Sequence, residues 1–123
     1  MDDLRLGLVE TRFADLIWAN EPISSGNLVK LCAKELEWKK STTYTVLKKL
    51  CDKGIFQNVN GIVTSILSQK EFQSRQSKRF VKDTFSGSLP AFIAAFAENN
   101  GLSDQDISEI RKMIDAYEGG GKK

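Results

Sequence analysis

The stretch from Trp38 to Gly54, WKKSTTYTVLKKLCDKG, constrains this chain more than any other. Thr43, Val46, Leu47 and Leu50 recur at i, i+3, i+4 and i+7, the spacing that lines one side of an α-helix. Ser41, Thr45 and Lys48 fall on the opposite side, flanked by Thr42, Tyr44 and Lys49. One face therefore demands burial. The other offers hydroxyls, a phenol and cations, with no carboxylate before Asp52. Such a face suits a polyanion whose edges present hydrogen-bond acceptors, as a DNA groove does. It also describes an ordinary solvated amphipathic helix, so the neighbouring elements must decide.

Upstream, Val9, Phe13, Leu16 and Ile17 form a first helical stripe ending near Asn20, where Glu21-Pro22 breaks it. Ile23 is a short extended residue, and Ser24 or Ser25 caps a second helix. Leu28, Leu31, Cys32 and Leu36 make that helix's buried face. A tight turn then leads to a third helix beginning near Lys40, which gives a helix-turn-helix. Gly54 closes the third helix. The run IFQNVNGIVTSIL is rich in β-branched residues and centred on Asn60-Gly61, a type I′ hairpin signal, so strands are expected at about 55–59 and 62–66. The expected fold is mainly α with a small β-hairpin: a winged helix-turn-helix followed by a C-terminal helical region. The wing is unusual, because nothing between Lys53 and Lys70 is charged.

Three more helices follow. Ser68 and Glu71 form a capping box, Leu67 and Phe72 a hydrophobic staple, and Phe72, Gln76, Phe80 and Val81 an inner face. Ser86-Gly87 interrupts this helix, and Ser88 caps the next, with Pro90 in its first turn. Leu89, Phe92, Ile93 and Phe96 form its stripe, and Gly101 ends it. Ser103 with Asp106 caps the last helix, stapled by Leu102 and Ile107; Ile107, Ile110, Ile114 and Tyr117 line one face. Short helices that each carry a full apolar stripe need a partner surface, either the winged domain or a second copy of the chain. A reader of DNA gains from pairing, since two half-sites are then read together. The expected organisation is a DNA-binding domain over 1–68, a helical dimerisation domain over 69–118 and a disordered tail, GGGKK, over 119–123.

Charge distribution supports the same reading. The net charge of +2 hides a cationic middle between anionic ends. Residues 30–82 hold twelve of the 18 basic groups and only four of the 16 acidic ones. A local basic region matters more for nucleic-acid contact than the overall balance does. With no histidine, two cysteines complete no zinc site, and no metal or other cofactor is expected. No nucleophile–base pair or phosphate loop is present, so an enzyme is disfavoured. No stretch approaches the ~20 apolar residues of a membrane span. Absent a signal-like core, the chain is expected to be soluble and cytoplasmic.

Four segments together resemble the BlaI/MecI penicillinase-repressor family of bacterial transcriptional regulators. They are ETRFADLIW at 10–18, WKKSTTYTVLKKLCDKGIF at 38–56, FSGSLPAFIAAFAENNGLS at 85–103 and ISEIRKMIDAY at 107–117. The resemblance implies a homodimeric repressor on an inverted-repeat DNA operator. It places the recognition-helix threonines at Thr42 and Thr45, with Ser41, Tyr44, Lys48 and Lys49 beside them and phosphate contacts near Lys39 and Lys40. It assigns dimerisation to the region containing Leu89, Phe92, Ile93, Phe96, Ile107, Ile110 and Ile114. It also raises an upstream sensor-protease as a partner. The family's resistance repressors are cleaved at an Asn-Phe bond, however, where this chain has Ala95-Phe96. Its wing is also shorter than the family's. The copper-responsive relatives end in a cysteine cluster, and GGGKK here excludes that sensing mode. Two other readings stay open: a winged helix used for protein–protein contact, and a thiol- or ligand-responsive DNA-binding sensor working through Cys32 or Cys51.

Overall fold

A computed structural model describes residues 4–121, with side chains described through Tyr117. The elements run α1 (Leu8–Asn20), β1 (Ile23–Ser24), α2 (Ser25–Glu35), α3 (Lys40–Asp52), β2 (Phe56–Val59), β3 (Ile62–Ser65), α4 (Gln69–Phe85), α5 (Leu89–Ala97) and α6 (Asp104–Gly121). They divide into two compact units, one up to Ser77 and one from Lys78.

In the first unit, three helices and a small sheet close around one core. Phe13, Ala14 and Ile17 of α1 meet Leu28 and Cys32 of α2, Leu47 and Leu50 of α3, and Phe56 and Val63 of the sheet. Val9, expected in the α1 stripe, is 52% exposed; Ala14 is buried instead. Val9 sits in the helix's first turn. Ser24 caps α2 by accepting the Asn27 N–H at 3.1 Å. Glu37, at φ 58°, turns the chain between α2 and α3. Trp38 then stacks on Phe13 with ring centroids 5.2 Å apart, fixing where α3 begins.

The hairpin forms at the expected turn. Asn60 and Gly61 both have positive φ, 53° and 82°, as a type I′ turn requires. The strands are slightly shorter than expected, because the Ile55 carbonyl takes the N–H groups of Ile66 and Leu67 and ends the ladder. The sheet has three strands and not two, in the order β1-β3-β2. Ile23 pairs with Val63 and Ser24 with Ile62, both antiparallel. Glu21 reinforces this edge: its two carboxylate oxygens accept the Ser65 N–H at 2.7 Å and the Ser65 hydroxyl at 2.9 Å. The first turns of α4 belong to this unit. Phe72 packs against Trp18 at 5.4 Å, and Gln69 donates to Asp15 at 3.0 Å. The division between the two compact units falls inside α4.

The second unit is built differently. Phe80, Phe85, Phe92 and Phe96 form a chain of edge-on and tilted contacts with centroids 5.5–6.0 Å apart. Phe80 was expected on an inner face but is 51% exposed. Ser88 caps α5 and Ser103 caps α6, each accepting a backbone N–H three residues on. Helix α5 ends at Ala97, short of Gly101; Asn99 and Asn100 take positive φ in the turn. At the C-terminus, the expected tail is helical through Gly121, while Lys122 and Lys123 lie outside the described residues. Successive backbone hydrogen bonds continue a helix even where the residues lack side chains.

Candidate nucleic-acid interface

Helix α3 presents the two faces its sequence requires. Thr43, Leu47 and Leu50 are buried, with Val46 partly so. The Thr43 hydroxyl does not reach outward; it donates to the Lys39 carbonyl at 3.3 Å inside the helix's first turn. Ser41, Thr42, Tyr44, Thr45, Lys48 and Lys49 are all exposed, as are Lys39 at the N-cap and Lys40 at the first helical position. Among these, Ser41, Thr45 and Lys48 lie most directly opposite the buried stripe.

The flanks of α3 are not equivalent. On one side the Tyr44 hydroxyl donates to Ser25 Oγ of α2 at 3.1 Å. On the other, Lys49 forms an ion pair with Glu10 of α1, and Lys53 donates to the Arg5 carbonyl at 2.9 Å. Lys48 pairs with Asp52 one turn away at 3.2 Å, both side chains being well exposed. An exposed i,i+4 pair of this kind contributes only about 0.3–0.5 kcal/mol, so Lys48 is readily surrendered to a stronger anion. Lys49 differs, because its partner is anchored on another helix. Sequence reasoning placed Lys49 with the outward cations and missed Glu10. The signal available was a glutamate three residues after Gly7, the spacing of a helix start.

Electrostatically, the site is a cationic approach to a hydroxyl-rich face. Helix α3 begins at Lys40, and its N-cap, Lys39, offers no side-chain cap to the free N–H groups, which leaves a positive helix end beside two ammonium groups. The wing brings no charge, and its exposed side chains include Val59 and Ile62, paired across the turn. Both thiols are poor nucleophiles. Cys32 is fully buried and its pKa is pushed up by desolvation; Cys51 is pushed up by burial and then by Asp52. Among the described residues no group of three metal-ligating side chains converges, and no helix is long and apolar enough to cross a membrane.

The expected dimerisation residues are gathered in the second unit, and none is fully buried there. Leu89, Phe96 and Ile114 are more than half exposed, and Phe92, Ile93, Ile107 and Ile110 partly so.

Three helices and a three-stranded sheet, with the outer face of α3 free, define a winged helix-turn-helix protein carrying a helical C-terminal region. The family model described as Penicillinase repressor matches residues 6–116. The chain belongs to the penicillinase-repressor family, whose members are transcriptional regulators and not enzymes. It is similar to the "Methicillin resistance regulatory protein MecI" of Staphylococcus aureus (strain Mu50 / ATCC 700699), with 24% identity over 109 residues, 85% of this chain and 89% of that protein. It is also similar to the "Penicillinase repressor" of Bacillus licheniformis, with 22% identity over 112 residues and 88% of each chain. The "Penicillinase repressor" of Staphylococcus aureus shares 20% identity over 115 residues, 90% of this chain and 91% of its own.

Proposed function

We propose that this repressor acts as a homodimer that reads an inverted-repeat DNA operator through α3. The observation that carries the reading is the outer face of α3, where Ser41, Thr45 and Lys48 stand exposed opposite the buried Thr43, Leu47 and Leu50. Lysines at 39, 40 and 48 draw the helix to phosphate and release counterions. Thr42 and Thr45 offer methyls to thymine and hydroxyls to base edges, with Ser41 and Tyr44 at the margin. Lys49 also lies on this helix and is paired with Glu10 of α1.

Dimerisation through Leu89, Phe92, Ile93, Phe96, Ile107, Ile110 and Ile114 is supported by the second unit's lack of any fully buried residue among those described. Apolar helices that bury so little of themselves are stabilised by covering those faces with a second copy. An upstream sensor-protease partner and a cytoplasmic location fit the same family reading. The Ala95-Phe96 sequence leaves the family's cleavage route without its usual bond.

The uncharged wing, with Val59 and Ile62 outward, favours a second reading in which this surface contacts protein. A thiol-sensing mechanism gains no support from the raised pKa values of Cys32 and Cys51. Selection from a library of random-core duplexes at two salt concentrations separates the remaining options. Enrichment of an inverted repeat with steeply salt-dependent binding is the expected result. Salt-sensitive binding without an enriched motif rejects sequence-specific repression. Absence of binding at low salt gives the surface to a protein partner.

A further inference from the structure

Glu10 and Lys49, 39 residues apart in sequence, meet where the start of α1 passes α3. The Glu10 carboxylate is divided between two partners. Oε1 accepts the Gly7 N–H at 3.1 Å, and Oε2 accepts Lys49. The first bond ties the carboxylate to the helix start, so the second oxygen is presented at a fixed point. Lys49 and the Gly7 N–H together hold the Glu10 carboxyl below its ordinary pKa. One turn further along α3, Lys53 is held by the Arg5 carbonyl. Across the helix, Tyr44 is tied to Ser25.

Between these flanking ties, α3 meets the core through Thr43, Leu47 and Leu50. Apolar contact scales with area and has little directional preference, so it tolerates a small roll of the helix. Hydrogen bonds and ion pairs with fixed acceptors resist it. A roll would carry Thr45 and Lys48 away from whatever they face.

We propose that Glu10 is a positioning residue for DNA recognition: with Lys49 it sets the rotation of α3, and Lys49 serves this tie rather than a DNA phosphate. The proposal rests on α3 being the DNA-reading helix. The two roles for Lys49 have opposite signs. A phosphate-binding Lys49 would have to be released from Glu10, and removing Glu10 would strengthen binding. A lysine that positions α3 loses its effect when Glu10 is removed, and binding weakens.

The test uses the full chain and the duplex enriched in the selection, with Kd measured across a salt series. The variants are Glu10→Gln, Lys49→Met, the double variant combining them, and the charge swap Glu10→Lys/Lys49→Glu, each checked for native circular dichroism. Each single variant is expected to weaken binding about three- to fivefold, the double variant no more than either single one. The swap is expected to recover most of the affinity, with the salt slope unchanged. Tighter binding by Glu10→Gln overturns the proposal. So does a salt slope lowered by about 1 in Lys49→Met, the mark of a lost phosphate contact, or a swap as weak as Lys49→Met. A wild-type chain that enriches no duplex overturns the α3 reading and this inference together; a wild type that enriches one while the variants show any of those overturning patterns rejects only the inference.

Discussion

Two residues one position apart on α3 have opposite jobs, and substitution separates them. Leu47 is buried at 2% exposure among Phe13, Leu28 and Leu50. Leu47→Ala removes packed methyl groups and leaves a cavity, with an expected loss of about 2–5 kcal/mol in urea unfolding. Lys48 pairs with Asp52 at the surface. Lys48→Ala is expected to leave stability within about 0.5 kcal/mol while weakening DNA binding and lowering its salt slope by about 1. An unchanged slope would place Lys48 off the phosphate backbone. Gly101 illustrates a constraint of another kind. A Cβ there would lie 1.7 Å from the Phe96 carbonyl oxygen, so Gly101→Ala must displace the α5–α6 turn. A melting temperature equal to that of the wild type would show that the turn yields freely. Spacing alone revealed which α3 residues face inward and which outward. The place of Glu10 after Gly7 marks a helix start, but its pairing with Lys49 was not legible, because no local pattern encodes a contact 39 residues away.

Elements with strong local chemistry were legible as sequence. Ser68 and Glu71 cap α4 reciprocally, each backbone N–H meeting the other's side chain at 3.0 Å. Asn60-Gly61 turned the hairpin at the expected place. Ile23 was legible as extended, but the pairing of β1 with β3 was not, since two residues carry no alternation to detect and pair only because β3 is already there. The end of α5 escaped too, because Asn99 and Asn100 made the turn before Gly101 was reached. The α4 cap also predicts a pH response. The Ser68 N–H and hydroxyl hold Glu71 below its ordinary pKa, and Lys49 does the same for Glu10. Each carboxylate binds protons less readily folded than unfolded, so its contribution is complete above the ordinary value of 4.5 and disappears as pH falls through the depressed one. The urea midpoint is therefore expected to decline below pH 4.5, and less steeply in Glu71→Gln. Identical profiles would mean that the cap contributes nothing beyond an amide's.

At the scale of the whole molecule, one unit has a closed core and the other has helices whose apolar stripes stay largely uncovered. The sequence showed both sets of stripes but could not say that only the first would be buried within the chain. Phe96 stands 54% exposed at the end of the aromatic row. Phe96→Glu is expected to raise the dimer dissociation constant by roughly tenfold or more, read by sedimentation, and to cut operator affinity with it. A variant that remains dimeric would remove Phe96 from the interface. If α3 of each protomer reads one half of an inverted repeat, losing Thr45 must be felt at two symmetric base pairs. The most direct measurement is the affinity of wild type and Thr45→Ala for an enriched operator substituted singly at every position. The predicted result is a loss of roughly tenfold discrimination at one base pair in each half-site, with other positions unchanged. Uniform weakening at all positions, or an unchanged profile, would contradict base reading by α3.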